Sequence, residues 1–543
     1  MARSYLGNHP NPAERWEQFV FNPPPLIAFD TETISLRDRT LLGVGASIGT
    51  ESFYVTTDDE WFHYFLRLLQ DQSIDKIYHN CMFDLRVLRK YKVDYINIED
   101  TAVMCHILGI PAVLEEAALL HTDTVVESAK SFLARLGCKD MSQAPVEEVA
   151  HKCQIDAEAT WKLYQALKYK VPQGYYQVER QIIPMLETIS QKGIKIDQQR
   201  HKELSEWYTR EYSYYKSLAD GMGFNPGSTQ QVGYILARRK NFLPLTRSRK
   251  SISTDKSVLK KLQDPVAQLV LLYRQTQTIR SNFLIPLNGL SRAYTTLHMD
   301  AITGRISSTD AGDSEPDRNL QNIPRKADMP GAPPVRSMFV PDGKYLTKMD
   351  ANQIELRVLA HLSNDSHMKS VYLVPDGDIH SETSRGLGIP RDAAKTFNFA
   401  MIYGAEVYTL SDRTGIADLK QVAAYRRLWM ETYPEAARWM IIQQEEGLRN
   451  GYIETLMGRK MMLPVELGEK HCRNCAVNWP VQGTAAEIFK LVMLECRSMI
   501  DAIRLQIHDE LLDEGDQELP SGLADVSSVH VPMQVDYKVE RWY

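Results

Sequence analysis

The stretch PRDAAKTFNFAMIYG, residues 390–404, decides how the rest of this 543-residue chain is read. Proline at its start and glycine at its end are the residues that open and close a helix. Within it Arg391, Lys395, Phe399 and Tyr403 stand four apart. Successive members therefore drift only about 40° around the helix and form one stripe. The stripe is cationic in its N-terminal half and aromatic in its C-terminal half. A nucleoside triphosphate laid along it would set its phosphates against the cations and its base and sugar against the rings. The competing account is ordinary packing, with the rings in the core and the cations snorkelling past them. That suffices for any one residue and explains the ordered stripe less well.

Two acidic segments flank this helix at a distance. KYLTKMDANQIELR (344–357) carries Asp350 and Glu355, and RLQIHDELL (504–512) carries Asp509 and Glu510. Both read as strands ending in an acid among apolar residues, where a carboxylate is either paired or holding a metal. Asp350 and Asp509 brought together would offer separate carboxylates on rigid backbone, the minimum for two Mg²⁺ ions. Two unrelated acidic strand ends are the alternative, and the helix between them favours the metal.

The bulk numbers exclude little. An apolar fraction of 43% and a charged fraction of 24% are ordinary for globular proteins, and the length suits roughly three or four domains. No apolar run approaches the roughly 18 residues of a transmembrane helix, and the first ten residues lack the apolar core of a secretory signal. Seven cysteines, an odd count without framework spacing, fit a reducing interior and a cytoplasmic location, the host cytoplasm if the chain is phage-encoded. Cys472 and Cys475 form a lone CxxC, better read as two helix cysteines than as a zinc site. The net charge of −6 does not announce a nucleic-acid binder. Between Arg238 and Lys261, however, nine basic residues face one acid, Asp255. That stretch is a phosphate track or a solvated surface.

Three textures follow one another along the chain. After Pro23-Pro24-Pro25, residues 26 to 165 mix strands with helices: strands are expected at 26–30, 41–48 and 52–55, and a helix at 61–69. Residues 175 to 290 look helical and increasingly basic, with a turn at Gly223 and a helix cap at Ser228. From Tyr294 strands return around a helical block spanning 380 to 500, and residues 310–318 form the clearest loop.

In this order, Asp350-x-x-x-Ile354-Glu355-Leu356-Arg357, the 391–404 stripe and His508-Asp509-Glu510 resemble motifs A, B and C of the family A DNA polymerases. Thr303-Gly304-Arg305 and Asn319-Leu320-Gln321-Asn322 resemble the family's primer–template contact segment. Asn478 through Gln482 resembles the helix before motif C, and Phe224 through Ser228 the entry to the thumb. The resemblance runs from about residue 180 to the C-terminus. It implies that Asp350 and Asp509 hold two metals, with Glu510 beside them and less essential. It implies that Arg391, Lys395 and His380 contact the triphosphate, and that Lys395 protonates the leaving pyrophosphate. Tyr403 would sit near the templating base. Glu355 would be the steric gate against a ribose 2′-hydroxyl, with Gln353 also in the nucleotide site. Phe399 occupies the position where phenylalanine favours deoxy- over dideoxynucleotides. Arg305, Gln482 and His508 would touch the primer–template minor groove, and Asn319, Gln321 and Asn322 belong to the same DNA contact.

The N-terminal segment has its own acids: Asp30 and Glu32 at a strand end, Asp84 in Asn80-x-x-Phe83-Asp84, and Asp156. Four acids on separate elements can hold two metals that activate water against a phosphodiester. Their spacing resembles the DEDD exonucleases, the polymerase family's 3′→5′ proofreading domain. One departure stands out. The polymerase-associated pattern has tyrosine four residues before the last aspartate, and here that residue is Lys152. His151, five residues before Asp156, resembles instead the histidine-bearing branch, and histidine can accept a water proton at neutral pH. His151 is therefore the expected base, a surface histidine on an amphipathic helix being the alternative.

The fold expected is multidomain α/β and α+β. An N-terminal segment (1–25) precedes a ribonuclease H-like exonuclease domain (26–170). A right hand follows: thumb 171–293, palm 294–366, fingers 367–470 and the rest of the palm 471–543. The resemblance implies Mg²⁺ at both centres, two per site with Mn²⁺ as a substitute. The partners expected are primer–template DNA and deoxynucleoside triphosphates, with no membrane, a monomeric state and unidentified replication-fork proteins such as a helicase or single-strand-binding protein. Nothing long enough for a 5′-nuclease domain precedes residue 26, and the thumb lacks a long insertion. This compact form suggests a phage replicative enzyme. The acids Asp310, Asp313, Glu315 and Asp317 argue against DNA contact by their loop. Two rival readings are a single-subunit RNA polymerase, opposed by Glu355 and the N-terminal acids, and a degradative nuclease whose C-terminal half only binds DNA, opposed by the Asp350/Asp509 pair and the stripe.

Overall fold

A computed structural model describes residues 19–93, 96–239, 252–309, 318–325, 329–374 and 377–514, the backbone of the strand Val535–Val539, and Trp542. The 310–317 loop and much of the basic stretch, residues 240–251, lie outside the described residues.

The first half is built on a five-stranded sheet of order β3-β2-β1-β4-β5, from β1 (Leu26–Thr33), β2 (Leu41–Ser47), β3 (Ser52–Thr56), β4 (Asp75–Tyr78) and β5 (Ile98–Asp100). β1, β2 and β3 pair antiparallel, whereas β4 and β5 continue the sheet in parallel with β1. The three strands expected at 26–30, 41–48 and 52–55 are present as β1, β2 and β3. Asp30 does not end its strand, as the sequence suggested. β1 runs on through Thr31, Glu32 and Thr33, paired to β2 as far as Leu41 with a register shift at Glu32/Thr33. β-branched threonines suit the pleated sheet and carry the strand past the acid. Among the helices packed on this sheet are α1 (Cys81–Leu88) and the long α2 (Val146–Leu167). α2 lies close because residue 45 is glycine: a Cβ there would stand 2.7 Å from Cys153 Sγ.

α3 (Gln173–Lys192) joins the two halves by buried charges. Its Glu187, fully buried, pairs with Arg86 and Arg89 from α1 and its C-terminal end. Its Glu179 accepts from Lys490 Nζ at 2.7 Å on both carboxylate oxygens and lies 3.7 Å from Arg459. Removing one member of such a pair strands the other in low dielectric, at a cost of about 3–5 kcal/mol.

Beyond α3 come the helices Gln198–Gly221, Thr229–Ala237 and Pro265–Ile279. Ser228 caps the second as expected, its hydroxyl accepting from Gln231 N–H. A four-stranded antiparallel sheet then forms from β6 (Thr347–Ala351), β7 (Ile503–Ile507), β8 (Glu510–Asp513) and β9 (Val535–Val539), in the order β7-β8-β6-β9. α4 (Ile354–Leu362) follows β6. α5 (Arg391–Ile402) lies in the helical block, and α6 (Glu469–Glu495) packs against both α3 and α4. The block is not continuous: a hairpin, Tyr452–Glu454 with Lys460–Met462, interrupts it. Gly451 ends the preceding helix at φ +75 and the chain reverses through Gly458 at φ +88, conformations that cost glycine little. No helix among the described residues is long and apolar enough to cross a membrane.

Candidate active sites

On β1, residues two apart share a face, so Asp30 and Glu32 point the same way. α1 delivers Asp84, whose Oδ1 accepts from Thr31 N–H at 3.1 Å and Thr31 Oγ1 at 2.6 Å. α2 delivers Asp156 and, one turn earlier, Lys152. The Lys152 ammonium donates to Glu32 Oε1 at 3.0 Å and to Asp156 Oδ2 at 2.5 Å. Cys153 Sγ lies 3.2 Å from Asp30 Oδ2. All four sequence-predicted carboxylates thus meet in one cluster; Glu32, Asp84 and Asp156 are buried and Asp30 is half-buried. Burial raises each of them above the ordinary carboxylate range, Asp84 to about 7. The charges of Asp156, Glu32 and Asp84 raise Asp30 further. Burial alone would lower Lys152, but Glu32, Asp156 and Asp30 outweigh it and hold the ammonium above lysine's usual range. His151 is not brought to the cluster. It is exposed, and the side chain reaching the acids from that turn is its neighbour Lys152.

A fifth acid, which sequence reasoning missed, sets this geometry. Asp100, at the end of β5, caps the next helix through Ala102 and Val103 N–H and also accepts from Asn80 and Cys81 N–H. It thereby fixes the start of the helix that carries Asp84. Its signal was an acid before threonine at a strand end.

The second centre forms where β7 turns into β8. His508, at φ +57, and Asp509 make a two-residue loop, and Ala351 N–H donates to Asp509 O at 3.0 Å. Asp350 and Glu510 are direct cross-strand partners, so both aspartates come to one end of the sheet. Burial, then the nearby Asp350 charge, raises Asp509 to about 6. Lys348, unremarked in the sequence, shares a face of β6 with Asp350. It reaches Asp350 Oδ2 at 2.6 Å and Glu510 Oε2 at 3.3 Å. Glu355, in the first turn of α4, is buried and ion-paired to Arg305, with its Oε2 left without a partner. Gln353, at φ +56 before α4, accepts from Tyr372 OH at 3.1 Å.

α5 presents the stripe as its spacing required. Arg391 and Lys395 are exposed and Phe399 and Tyr403 half-exposed, whereas Ala394, Phe397, Ala400 and Met401 on the other face are buried. Tyr403 follows the last residue of the helix, and Gly404 turns the chain at φ +67. Arg391 Nε donates to Asp378 at 2.7 Å. Gln482, from α6, donates to Tyr403 OH at 3.4 Å. His380 is buried against the Phe399 ring, centroids 5.7 Å apart, and burial lowers its pKa to about 4. Trp429 Nε1 and Thr383 Oγ1 both donate to Asn398 Oδ1, so the Asn398 amide must turn its NH₂ to His380 Nδ1. The neutral ring then carries its proton on Nε2 and can donate from there. Asn398 and Trp429 were not foreseen.

The expected DNA-contact residues are less uniformly placed. Gln321 Nε2 bonds Gln506 Oε1 at 2.9 Å, which ties this segment to β7 beside His508. Asn319 donates to Ser308 O, and Asn322 is exposed. Both centres suit cations by their donor sets. Asp156 Oδ1 and Glu510 Oε1 are buried oxygens without a hydrogen-bond partner, and an oxygen-rich cluster is what hard divalent ions require.

The two carboxylate centres stand on two separate sheets, the first on β1 with α1 and α2, the second on β6 and the turn from β7 to β8. Residues 194–540 match the family model described as DNA polymerase family A, and residues 13–172 that described as 3'-5' exonuclease. The chain belongs to DNA polymerase family A, with a 3'-5' exonuclease domain ahead of the polymerase domain. It is 29% identical to DNA polymerase I of Pseudomonas aeruginosa, an alignment that takes in 91% of this chain and 60% of that one. It is 32% identical to the thermostable DNA polymerase I of Thermus aquaticus, over 67% of this chain and 47% of that one. The chain spans about half the length of the curated relatives it matches. Its fold is that of the POL domain of Pol1 from M. smegmatis, solved in complex with DNA primer-template and dNTP, with a TM-score of 0.77, 20% identity and 95% of each chain covered.

Proposed function

We propose that this chain is a DNA-dependent DNA polymerase that extends a primer 3′ end on a template, and that its N-terminal domain removes nucleotides in the 3′→5′ direction. The observation that carries the reading is the meeting of Asp350 and Asp509 at one sheet end, with the α5 stripe open to a ligand. Bound at such a carboxylate pair, Mg²⁺ or Mn²⁺ activates the attacking oxygen and neutralises charge on the phosphoryl group.

Asp350 and Asp509 are the residues to hold two cations, with Glu510 beside them. Arg391 and Lys395 bind the triphosphate, and Lys395 delivers a proton to the leaving pyrophosphate. His380 adds a neutral donor through Nε2. Phe399 and Tyr403 pack the sugar and base. Buried Glu355 fills the space a 2′-hydroxyl would need, next to Gln353. Arg305, Gln482, His508, Asn319, Gln321 and Asn322 line the primer–template. On this reading 171–293 is the thumb, 294–366 and 471–543 the palm, and 367–470 the fingers, working as a cytoplasmic monomer with fork partners still to be identified. At the N-terminal centre Asp30, Glu32, Asp84 and Asp156 hold the cations. His151 serves as base only if the strand it acts on, or a turn of its own side chain, brings it to the acids. The phage role expected from the compact architecture gains nothing from the relatives, which are bacterial.

Primer extension with Mg²⁺ tests the reading. It should survive Asp30→Ala and vanish with Asp509→Ala. Loss with both variants would sink the assignment of two separate centres. Equal use of ribo- and deoxynucleotides by the parent would favour an RNA polymerase instead.

A further inference from the structure

Lys152 does what a cation would do. Its side chain is only 10% exposed, and its ammonium donates to carboxylates on two different elements, Glu32 on β1 and Asp156 on α2. That reach is built in: Lys152 precedes Asp156 by four residues on one helix face, and Gly45 lets α2 lie close enough on the sheet for both to arrive. A divalent ion held by the same two carboxylates would sit about 2–2.5 Å from their oxygens. It would then be in contact with Nζ, and two positive charges at that separation inside a protein repel strongly. The ammonium and the ion compete for one place.

The remaining carboxylate oxygens stay clear of the ammonium. Asp30 makes no ion pair with Lys152, Asp84 has only its Oδ1 occupied by Thr31, and Asp156 Oδ1 is buried without a partner. We propose that Lys152 stands in for one of the two divalent cations of the N-terminal centre, so that this centre binds a single divalent ion, at Asp30. The proposal rests on the nuclease reading above and departs from its expected two-ion stoichiometry. Lys152 acts as a positioning charge that holds Glu32 and Asp156 in place.

The test counts ions. In the full chain carrying Asp350→Asn and Asp509→Asn, Mn²⁺ titration followed by the free-Mn²⁺ paramagnetic resonance signal should show one bound ion, lost on adding Asp30→Asn. Lys152→Met should bind a second ion, and Lys152→Arg should keep the count at one. The arginine variant guards against misfolding of the methionine one. Two ions bound by the parent, with digestion of single-stranded DNA intact in the otherwise unmodified chain, would overturn this proposal and leave the nuclease reading standing. No ion bound by the parent or by Lys152→Met, with no digestion, would overturn both.

Discussion

The N-terminal and C-terminal centres use the same residue type and differ in how the backbone encloses it. At the first, Asp30 lies within its strand and Glu32 next to its last residue, two more acids arrive on helices, and three of the four are buried. At the second, the acids come from a strand end and a two-residue turn, and the Asp350 side chain keeps 36% of its surface in water. Each holds a lysine that joins acids from two elements, but both acids of Lys152 are enclosed whereas one of those of Lys348, Asp350, is partly solvated. Enclosure of the acids thus decides how far water competes with each lysine.

The sharpest separation should be functional. Asp84→Ala should lower single-strand digestion by at least about 10³-fold and leave primer extension within about twofold; a parallel loss of extension would erase the distinction between the centres. Next is the packing that encloses the first one. Gly45→Val should push α2 off the sheet, cost about 1–3 kcal/mol in chemical denaturation and impair digestion more than synthesis. Equal impairment would show that α2 does not position the acids. At the open centre, Glu355→Ala should cut discrimination against ribonucleotides by about 10–100-fold, read as the ratio of kcat/KM for the two nucleotide types.

Protonation gives a smaller contrast. Folding raises Asp84 to about 7 and Asp509 to about 6 from the ordinary aspartate value of 3.8. Between those limits the folded chain binds more protons than the unfolded one, so stability falls as pH rises through them. In EDTA the melting temperature should therefore drop from about pH 4 to about pH 7. Asp84→Asn should flatten the upper part of that slope and Asp509→Asn the lower part. A slope unchanged by either would place the titration elsewhere. The least effect belongs to Lys348→Met: a partly solvated pair is worth roughly 0–1 kcal/mol, so Mn²⁺ affinity at the polymerase centre should change by no more than about fivefold. A change as large as that from Lys152→Met would break the comparison.

Much of this was legible. The strand at 26–30 and the four-residue spacing of the stripe are local patterns, and the structure keeps both, carrying the strand on to Thr33. The inward turn of Lys152 was legible too, although the sequence reading preferred His151. Four residues before Asp156 places Lys152 about 40° from it around the helix, whereas five places His151 about 140° away. What could not be read joins distant segments. Asp100 holds the amides of Asn80 and Cys81 some twenty residues earlier, and Lys490 meets Glu179 at a separation of 311 residues. Lys348 was hidden for a different reason: alternation set it on the face of Asp350, but only the neighbouring strand shows that Glu510 lies opposite.

α3 grips one half of the chain through Glu187 and the other through Glu179, eight residues apart on one helix. In the proposed function this makes the helix a link. The gap between making and removing a bond is then bridged by one helix, whose hydrogen-bond ladder Pro184 interrupts between the two acids. A primer end must then cross that gap by its own unpairing. The balance between extension and excision passes to the DNA: how readily its last base pairs fray, and how long a freed strand must be to reach the other side.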